Sequence, residues 1–338
     1  MAIHSVGDQA RAFVLQSQSA RLRNTLQVLT DELSSGIVAD RAGRVSGNTT
    51  QLHHFETQIA LLNQYKSAGA EAAASAEAIQ NILGALQKDA AEFNATLLTS
   101  DATKGVGHVP LRVAEAQGLF ETAVGRLNSS IAGLHLFSGL ATDTPALIEP
   151  DLILDEIKTL TAGMTTAADV EAAITGWFDA SPGGGGFLDF AYRGTMGEPR
   201  LAQIADDRVI AFATSAATPA IRELLKSYAL TAVADSGAIA ADSTAQLRLI
   251  ERTGEKLRSN DGALLDEMGR VGLLESLADR FSTEHTNALA IAEIGRANLI
   301  TADPFQTATA LQEVQTQMQT LYTLTARLSG LRLVEYLR

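Results

Sequence analysis

Cysteine is absent from all 338 residues, which rules out disulfides, thiolate metal sites and cysteine nucleophiles. Aromatic residues make up only 5%, with a single Trp, and charged residues 19%, below the usual quarter. So little aromatic surface suits long, closely packed helices better than a ligand-lined pocket. No apolar run approaches the roughly 18 residues that a membrane-spanning helix needs. A basic start followed by an apolar stretch is also missing, so no cleaved secretory leader is expected and any export would use another route. The net charge of −13 argues against nucleic acid or an anionic membrane surface as the main partner.

What is abundant is Ala, Thr, Ser, Gln and Asn, arranged around regular apolar stripes. Towards the C-terminus, Asp303-Pro304 is a helix start, with a capping carboxylate followed by a proline suited to the first turn. Leu311, Val314, Met318, Leu321, Thr325 and Leu328 then recur three and four apart, and Leu324, Leu328, Leu331, Val334 and Leu337 continue the stripe. The spacing predicts an amphipathic helix of roughly 35 residues, about 50 Å long. Between Ile3 and Leu33 there is no proline, and Leu15, Leu22, Leu26, Leu29 and Leu33 make a second seam near heptad spacing. Its other positions are again neutral (Gln16, Ser17, Gln18, Ser19, Asn24, Thr25, Gln27). Two matched, weakly charged helices at opposite ends of the chain predict that the termini lie side by side. Their surfaces suit copies of the same chain better than water.

Between these seams the chain reads as follows. Leu33-Ser34-Ser35-Gly36 is a helix stop with glycine just past the end, and Ile37 to Asn48 reads as a linker. Leu52, Phe55, Ile59 and Leu62 lead through an Ala-rich section to Leu86, Phe93 and Leu97, which predicts one helix of about 50 residues. Thr99 to Pro110 is a turn, and a return helix follows on Val113, Gln117, Phe120, Val124, Leu127, Ile131 and Leu134. Such consecutive helices pack antiparallel.

Composition shifts after Leu136-Phe137-Ser138-Gly139. Residues 141–240 hold 14 acidic and 6 basic side chains, most of the chain's net charge. Short helices are expected over Asp151–Ala162 and Ala167–Asp179, a strand on Leu188, Phe190 and Tyr192, a second strand over Arg208–Thr214 and a helix from Pro219. After Gly237 the helical pattern returns, with a polar break expected at Asn260-Asp261-Gly262. The fold expected is therefore mainly α. A long antiparallel helical rod or coiled-coil bundle is formed by the N- and C-terminal segments, with a small α+β middle domain inserted. The expected divisions are terminal helices at 1–38 and 301–338, a helical rod at 39–142 and 237–300, and a variable α+β domain at 143–236.

Catalytic patterns are not found. His53-His54 beside Glu56, and His285 beside Glu284, lack the spacing that aims two imidazoles at one metal. Gly183 to Gly186 are not followed by Gly-Lys-Ser/Thr and read as a turn. Ser138 lacks the upstream glycine of a nucleophile elbow. Asp206-Asp207 and Asp155-Glu156 read as solvated pairs rather than acid–base machinery. No enzyme activity, cofactor or metal site is expected.

The Leu33-Ser34-Ser35-Gly36 stop and the Asp303-Pro304 to Leu337 helix resemble the two ends of the bacterial flagellin superfamily. Within it, Asn128, Leu136-Phe137-Ser138-Gly139 and Thr142-Asp143-Thr144-Pro145 are similar to the hook–filament junction, or hook-associated, branch rather than to flagellin. Leu321-Tyr322 through Leu331, and Tyr336-Leu337, also resemble that branch. The likeness covers about 1–145 and 265–338. One departure is Asp40-Arg41-Ala42-Gly43-Arg44, where family members carry a Ser-Asp-Asp-Pro or Lys-Asp-Asp-Ala type of segment. The resemblance implies a structural adaptor exported unfolded through the flagellar type III apparatus. It would form a homo-oligomeric ring in contact with a neighbouring hook-associated protein and flagellin, with an export chaperone as a further partner and neither nucleic acid nor membrane. Flagellin, the filament subunit itself, is the alternative reading, and a soluble helical scaffold or chaperone is a rival of another class. The subunit-assembly residues expected are Leu15, Leu22, Leu26, Leu29 and Leu33 with Leu311, Val314, Met318, Leu321, Leu324, Leu328 and Leu331. The terminal segments 1–35 and 304–338 are expected to order on joining the ring.

Overall fold

The computed structural model describes residues 6–45, 49–103 and 106–336, with side chains over 10–45, 49–98 and 107–327. The fold is mainly α, with long helices packed on one another and two small antiparallel sheets. The helices are α1 (Val6–Ser35), α2 (Arg41–Arg44), α3 (Thr50–Thr103), α4 (Val109–Leu127), α5 (Pro150–Thr161), α6 (Ala167–Asp179), α7 (Phe187–Phe190), α8 (Pro219–Ala232), α9 (Ser243–Ile300) and α10 (Pro304–Tyr336). The strands are β1 (Ser130–Ile131), β2 (Leu134–His135), β3 (Arg200–Ala205) and β4 (Arg208–Phe212). The chain divides into two compact units, one of residues 1–63 and 287–338 and one of 64–286.

In the second unit the core is centred on α8, of which Ile221, Leu224, Leu225, Tyr228, Ala229 and Leu230 are fully buried. Facing side chains come from α4 (Phe120, Val124, Leu127), α6 (Ile174, Phe178) and α9 (Leu249, Leu257, Leu264). Helix starts follow local chemistry. Proline occupies the first turn of α4, α5 and α8, where a missing N–H costs nothing. Thr166 caps α6 by accepting from the Asp169 N–H, and Asp242 accepts from Thr244 and Ala245 at the head of α9.

Because α8 is enclosed, its polar side chains need partners. Lys226, only 2% exposed, is paired with Asp179 at 3.0 Å and Glu223 at 2.6 Å. Glu223 is shared with Lys256, which also reaches Glu171, itself paired with Arg252. One chain of alternating charges thus joins α6, α8 and α9, and it satisfies the buried ammonium that would otherwise be strongly destabilising.

Three sequence expectations are corrected. The return helix stops at Leu127, not Leu134. The Asn128 carboxamide accepts from the Leu147 N–H (2.7 Å) and donates to the Leu147 carbonyl (2.9 Å), pulling the chain out of the helix. Ile131 and Leu134 then face each other across a hairpin whose two turn residues, Ala132 and Gly133, both have positive φ (51° and 81°). Leu188 and Phe190 lie in the single helical turn α7 and Tyr192 makes only an isolated bridge to Leu147, so the expected strand is absent, because Asp189 ties the preceding glycines into a tight loop. No break occurs at Asn260-Asp261-Gly262, since α9 runs through it. Asn260 donates to the Ala220 carbonyl at 2.7 Å and Asp261 accepts from Gln87 at 2.8 Å, so the polar residues are held by other helices. Strand β3, which the sequence reading omits, pairs with β4.

Candidate assembly surface

The first unit pairs α1 with α10 antiparallel. Gly36, with φ of 69° past the end of α1, donates its N–H to the Glu32 carbonyl, which closes the helix as the sequence predicts. The exit of α1 and the entry to α10 are then pinned together. Val38 N–H donates to the Ile300 carbonyl and Ala302 N–H to the Gly36 carbonyl, both at 2.9 Å, with an antiparallel bridge between Ile37 and Thr301. Asp303 starts α10 by accepting from the N–H groups of Phe305 (2.9 Å) and Gln306 (3.2 Å). Further along, the Arg23 guanidinium donates to the Tyr322 hydroxyl at 3.1 Å. That contact joins positions 299 residues apart.

The seam leucines lie on this pair, and the two helices cover them incompletely. Val314 is buried, while Leu15, Leu22, Leu26, Leu29, Leu311, Met318 and Leu321 are half-buried. Leu33 and Leu324 are exposed, Leu324 at 50%. The helix α10 includes positions 328 and 331, but the side chains of Leu328 and Leu331 lie outside the described residues, as do Leu337 and the first residues of the chain. Leu22, Leu321 and Leu324 are brought to one groove between the helices, a cavity of about 490 Å3 floored by these leucines and rimmed by Gln18, Arg21, Gln317 and Thr320.

Sequence reasoning missed the most exposed apolar groups. Phe305 is 80% exposed and Phe13 72%, and Val14, Val28 and Tyr322 are also exposed, to a lesser degree. On the part of α9 in the same unit, Ile291 and Ile294 stand exposed three residues apart. A signal did exist, since Phe13 and Phe305 are isolated aromatics on helices otherwise rich in Gln, Ser and Thr. They fall off the leucine spacing that defined the seam. Where the first parts of α3 and the last of α9 meet in this unit, Gly295 admits the Phe55 ring so closely that a Cβ there would be 2.6 Å from it.

Most residues considered for chemistry are engaged locally. His53 is paired with Glu56 at 3.4 Å on the surface. The Ser138 hydroxyl is buried and donates to the Thr144 carbonyl at 2.6 Å, so it faces no base. The Asp189 carboxylate accepts from the N–H groups of Gly183 (2.9 Å) and Gly185 (2.7 Å), taking for itself the place an anion would occupy. Those backbone donors hold its pKa below the usual carboxylate value. Asp206 accepts from the Tyr65 hydroxyl, and that hydrogen bond pushes the Tyr65 pKa up. Among the described residues no group of three or more His, Asp or Glu side chains could hold a metal ion, and no helix is long and apolar enough to cross a membrane.

No family model matches the chain, and no curated protein does. Among solved structures, the chain is similar to one from Vibrio parahaemolyticus provisionally described as a flagellar hook-associated protein. The identity is 14%, the TM-score 0.45, and the match covers 74% of this chain and 96% of that one.

Proposed function

We propose that this chain is a structural subunit of the bacterial flagellum, a hook–filament junction adaptor that assembles as a ring and connects hook to filament. The observation that carries the reading is the α1–α10 pair, whose seam is only half covered, with Leu324 still 50% exposed in its groove, and which keeps Phe13 and Phe305 in the open. Each such side chain contributes roughly 1.5–3 kcal/mol when fully buried. Neighbouring copies carry the same pair, so packing pair against pair supplies that burial around a closed ring. Ordering a helix costs about 1–2 kcal/mol per residue in backbone freedom, so the pair gains most of its stability on joining the assembly. On this reading 1–38 and 301–338 form the assembly core, 39–142 and 237–300 the helical support and 143–236 the variable domain. The ring's neighbours are another hook-associated protein and flagellin, and the chain reaches the cell exterior unfolded, through the type III apparatus, with the help of an export chaperone. The Leu136–Pro145 segment, similar to the junction branch, favours the adaptor over flagellin.

Deleting the gene and examining the cells tests this. Hooks without filaments, with flagellin released into the medium, are the expected result. Bare hooks with no flagellin in the medium would instead identify the chain as flagellin, and normal filaments would overturn both readings. Leu321→Asp places a carboxylate in the groove and is expected to reproduce the deletion while leaving the second unit folded. Amide exchange on dilute monomer is expected to show α1 and α10 far less protected than α8.

A further inference from the structure

The β3–β4 hairpin lies over the core of the second unit. It is a two-stranded sheet joined to no other strand among the described residues. One face, with Ile204, Ile210 and Phe212, is buried in the core, while the other presents Leu201 and Val209, 61% and 57% exposed. Its tip is fastened at two points. The Tyr65 hydroxyl on α3 donates to the carboxylate of Asp206 in the turn at 2.8 Å. From α9, the His285 Nε2–H donates to the Ile204 carbonyl at 2.6 Å. The second contact falls at a bulge. The strand register slips between Gln203 and Ala205, leaving Ile204 as the extra residue with no partner residue opposite it. The rings of Tyr65 and His285 lie 5.7 Å apart, and Phe281 packs on His285 at 6.1 Å, so both pins share one support.

The base of the hairpin differs from its tip. On one side Thr195 is fixed, its N–H donating to the Ser138 carbonyl at 2.9 Å, and Gly194 beside it has no room for a Cβ. On the other the Thr214 hydroxyl donates to the buried carboxylate of Glu267. Inside these anchors, Gly197 has φ of 97° and open space where a Cβ would be. A cavity of about 390 Å3 lies there, bordered by Gly197, Pro199, Phe212 and Ser215. Fixed anchors, a left-handed glycine, free volume at the base and polar pins at the tip are the parts of a hinged strap.

We propose that the β3–β4 hairpin is a clasp that opens and recloses as one piece on the second unit, turning between Thr195 and Thr214 and held by Tyr65 and His285. Opening uncovers the apolar seat of Ile204, Ile210 and Phe212 while the α8-centred core stays closed. The seat is therefore exposed far more often than global unfolding alone would allow.

Because the chain has no cysteine, Ile210→Cys gives a single thiol beneath the clasp, whose labelling rate in the full-length protein measures opening. Adding Tyr65→Phe removes a hydrogen bond to a charged acceptor and is expected to raise that rate about tenfold. Adding His285→Ala should also raise it several-fold, and combining both should raise it further. Amide exchange in α8, followed in the same samples, should not change by more than about twofold. Labelling of Ile210→Cys that is indifferent to Tyr65→Phe, or α8 exchange that accelerates in step with it, would overturn the clasp. Ile204→Cys, under the same face, repeats the measurement should Ile210→Cys fail to fold.

Discussion

The two units handle apolar surface in opposite ways. In the second, α8 is enclosed by α4, α5, α6 and α9, and even its Lys226 and Thr231 are buried with partners. In the first, among the described residues α1 and α10 pack chiefly on each other, so one face of each is covered and large side chains remain exposed. Both are built from helices with regular apolar spacing. The difference lies in how many neighbours each helix receives. An amphipathic stripe buried by several helices makes a self-sufficient core, whereas the same kind of stripe met by a single helix leaves hydrophobic surface for another molecule.

The sharpest way to break that comparison is to delete equivalent apolar volume in both units. Phe120 is fully buried against α8, and Phe120→Ala is expected to lower the stability of the second unit by about 3–5 kcal/mol. Leu22 is half-buried beside the α1–α10 groove, so Leu22→Ala should cost the isolated chain less than about 1 kcal/mol. Urea unfolding followed by fluorescence of the sole tryptophan, Trp177, reads the second unit directly, and far-ultraviolet circular dichroism reads the loss of helix in the first. Equal losses from the two substitutions would mean that the seam is a finished core already and would remove the physical basis of the assembly reading.

How far the comparison was legible in the sequence depends on the range of the contacts involved. The seam leucines, the Gly36 stop and the Asp303 cap are written in neighbouring residues, and the helices end where those residues say. The end of α4 is not, because the group that terminates it, Asn128, is satisfied by Leu147, nineteen residues on. Nor is the continuity of α9. Asn260 and Asp261 read locally as a break, and only the Ala220 carbonyl and Gln87, from other helices, make them acceptable inside one. In β3 the alternation Arg200-Leu201-Ala202-Gln203-Ile204 is weakened by the small Ala202, and the strand takes its shape from pairing with β4. In the candidate surface, spacing located the pair but not its outer aromatics. Which helix faces stay uncovered depends on how many neighbours the fold provides.

A second substitution sharpens the contrast from inside the core. Tyr228 is buried at the edge of the Phe93 ring, and its hydroxyl has no hydrogen-bond partner. Burial pushes its pKa far above the ordinary phenol value, so it stays protonated throughout the stable range. Tyr228→Phe removes an uncompensated polar atom and keeps the ring, and a gain of about 1 kcal/mol in urea unfolding is expected. A loss of that size would mean that the hydroxyl is bonded to ordered water and that the core around α8 is wetter than its apolar lining suggests.

The smallest effect expected is local and depends on pH. Asp189 accepts the N–H groups of Gly183 and Gly185, and its folded-state pKa is held below the unfolded value. A carboxylate with a depressed pKa lends stability that is present above its unfolded pKa and is lost as pH falls through the folded one. The loop should therefore loosen only in acid, below the ordinary carboxylate range, and Asp189→Asn should remove that pH dependence. The indole of Trp177 reports on it, because the ring lies 6.0 Å from Phe187 at the start of α7, and a Cβ on Gly186 would be 2.1 Å from the Trp177 carbonyl. Acid titration of Trp177 emission should show a transition in the native chain, before global unfolding, that is absent in Asp189→Asn. The same transition in both proteins would mean that the carboxylate of Asp189 does not cause it, and would place the acid-sensitive point of the second unit outside this loop.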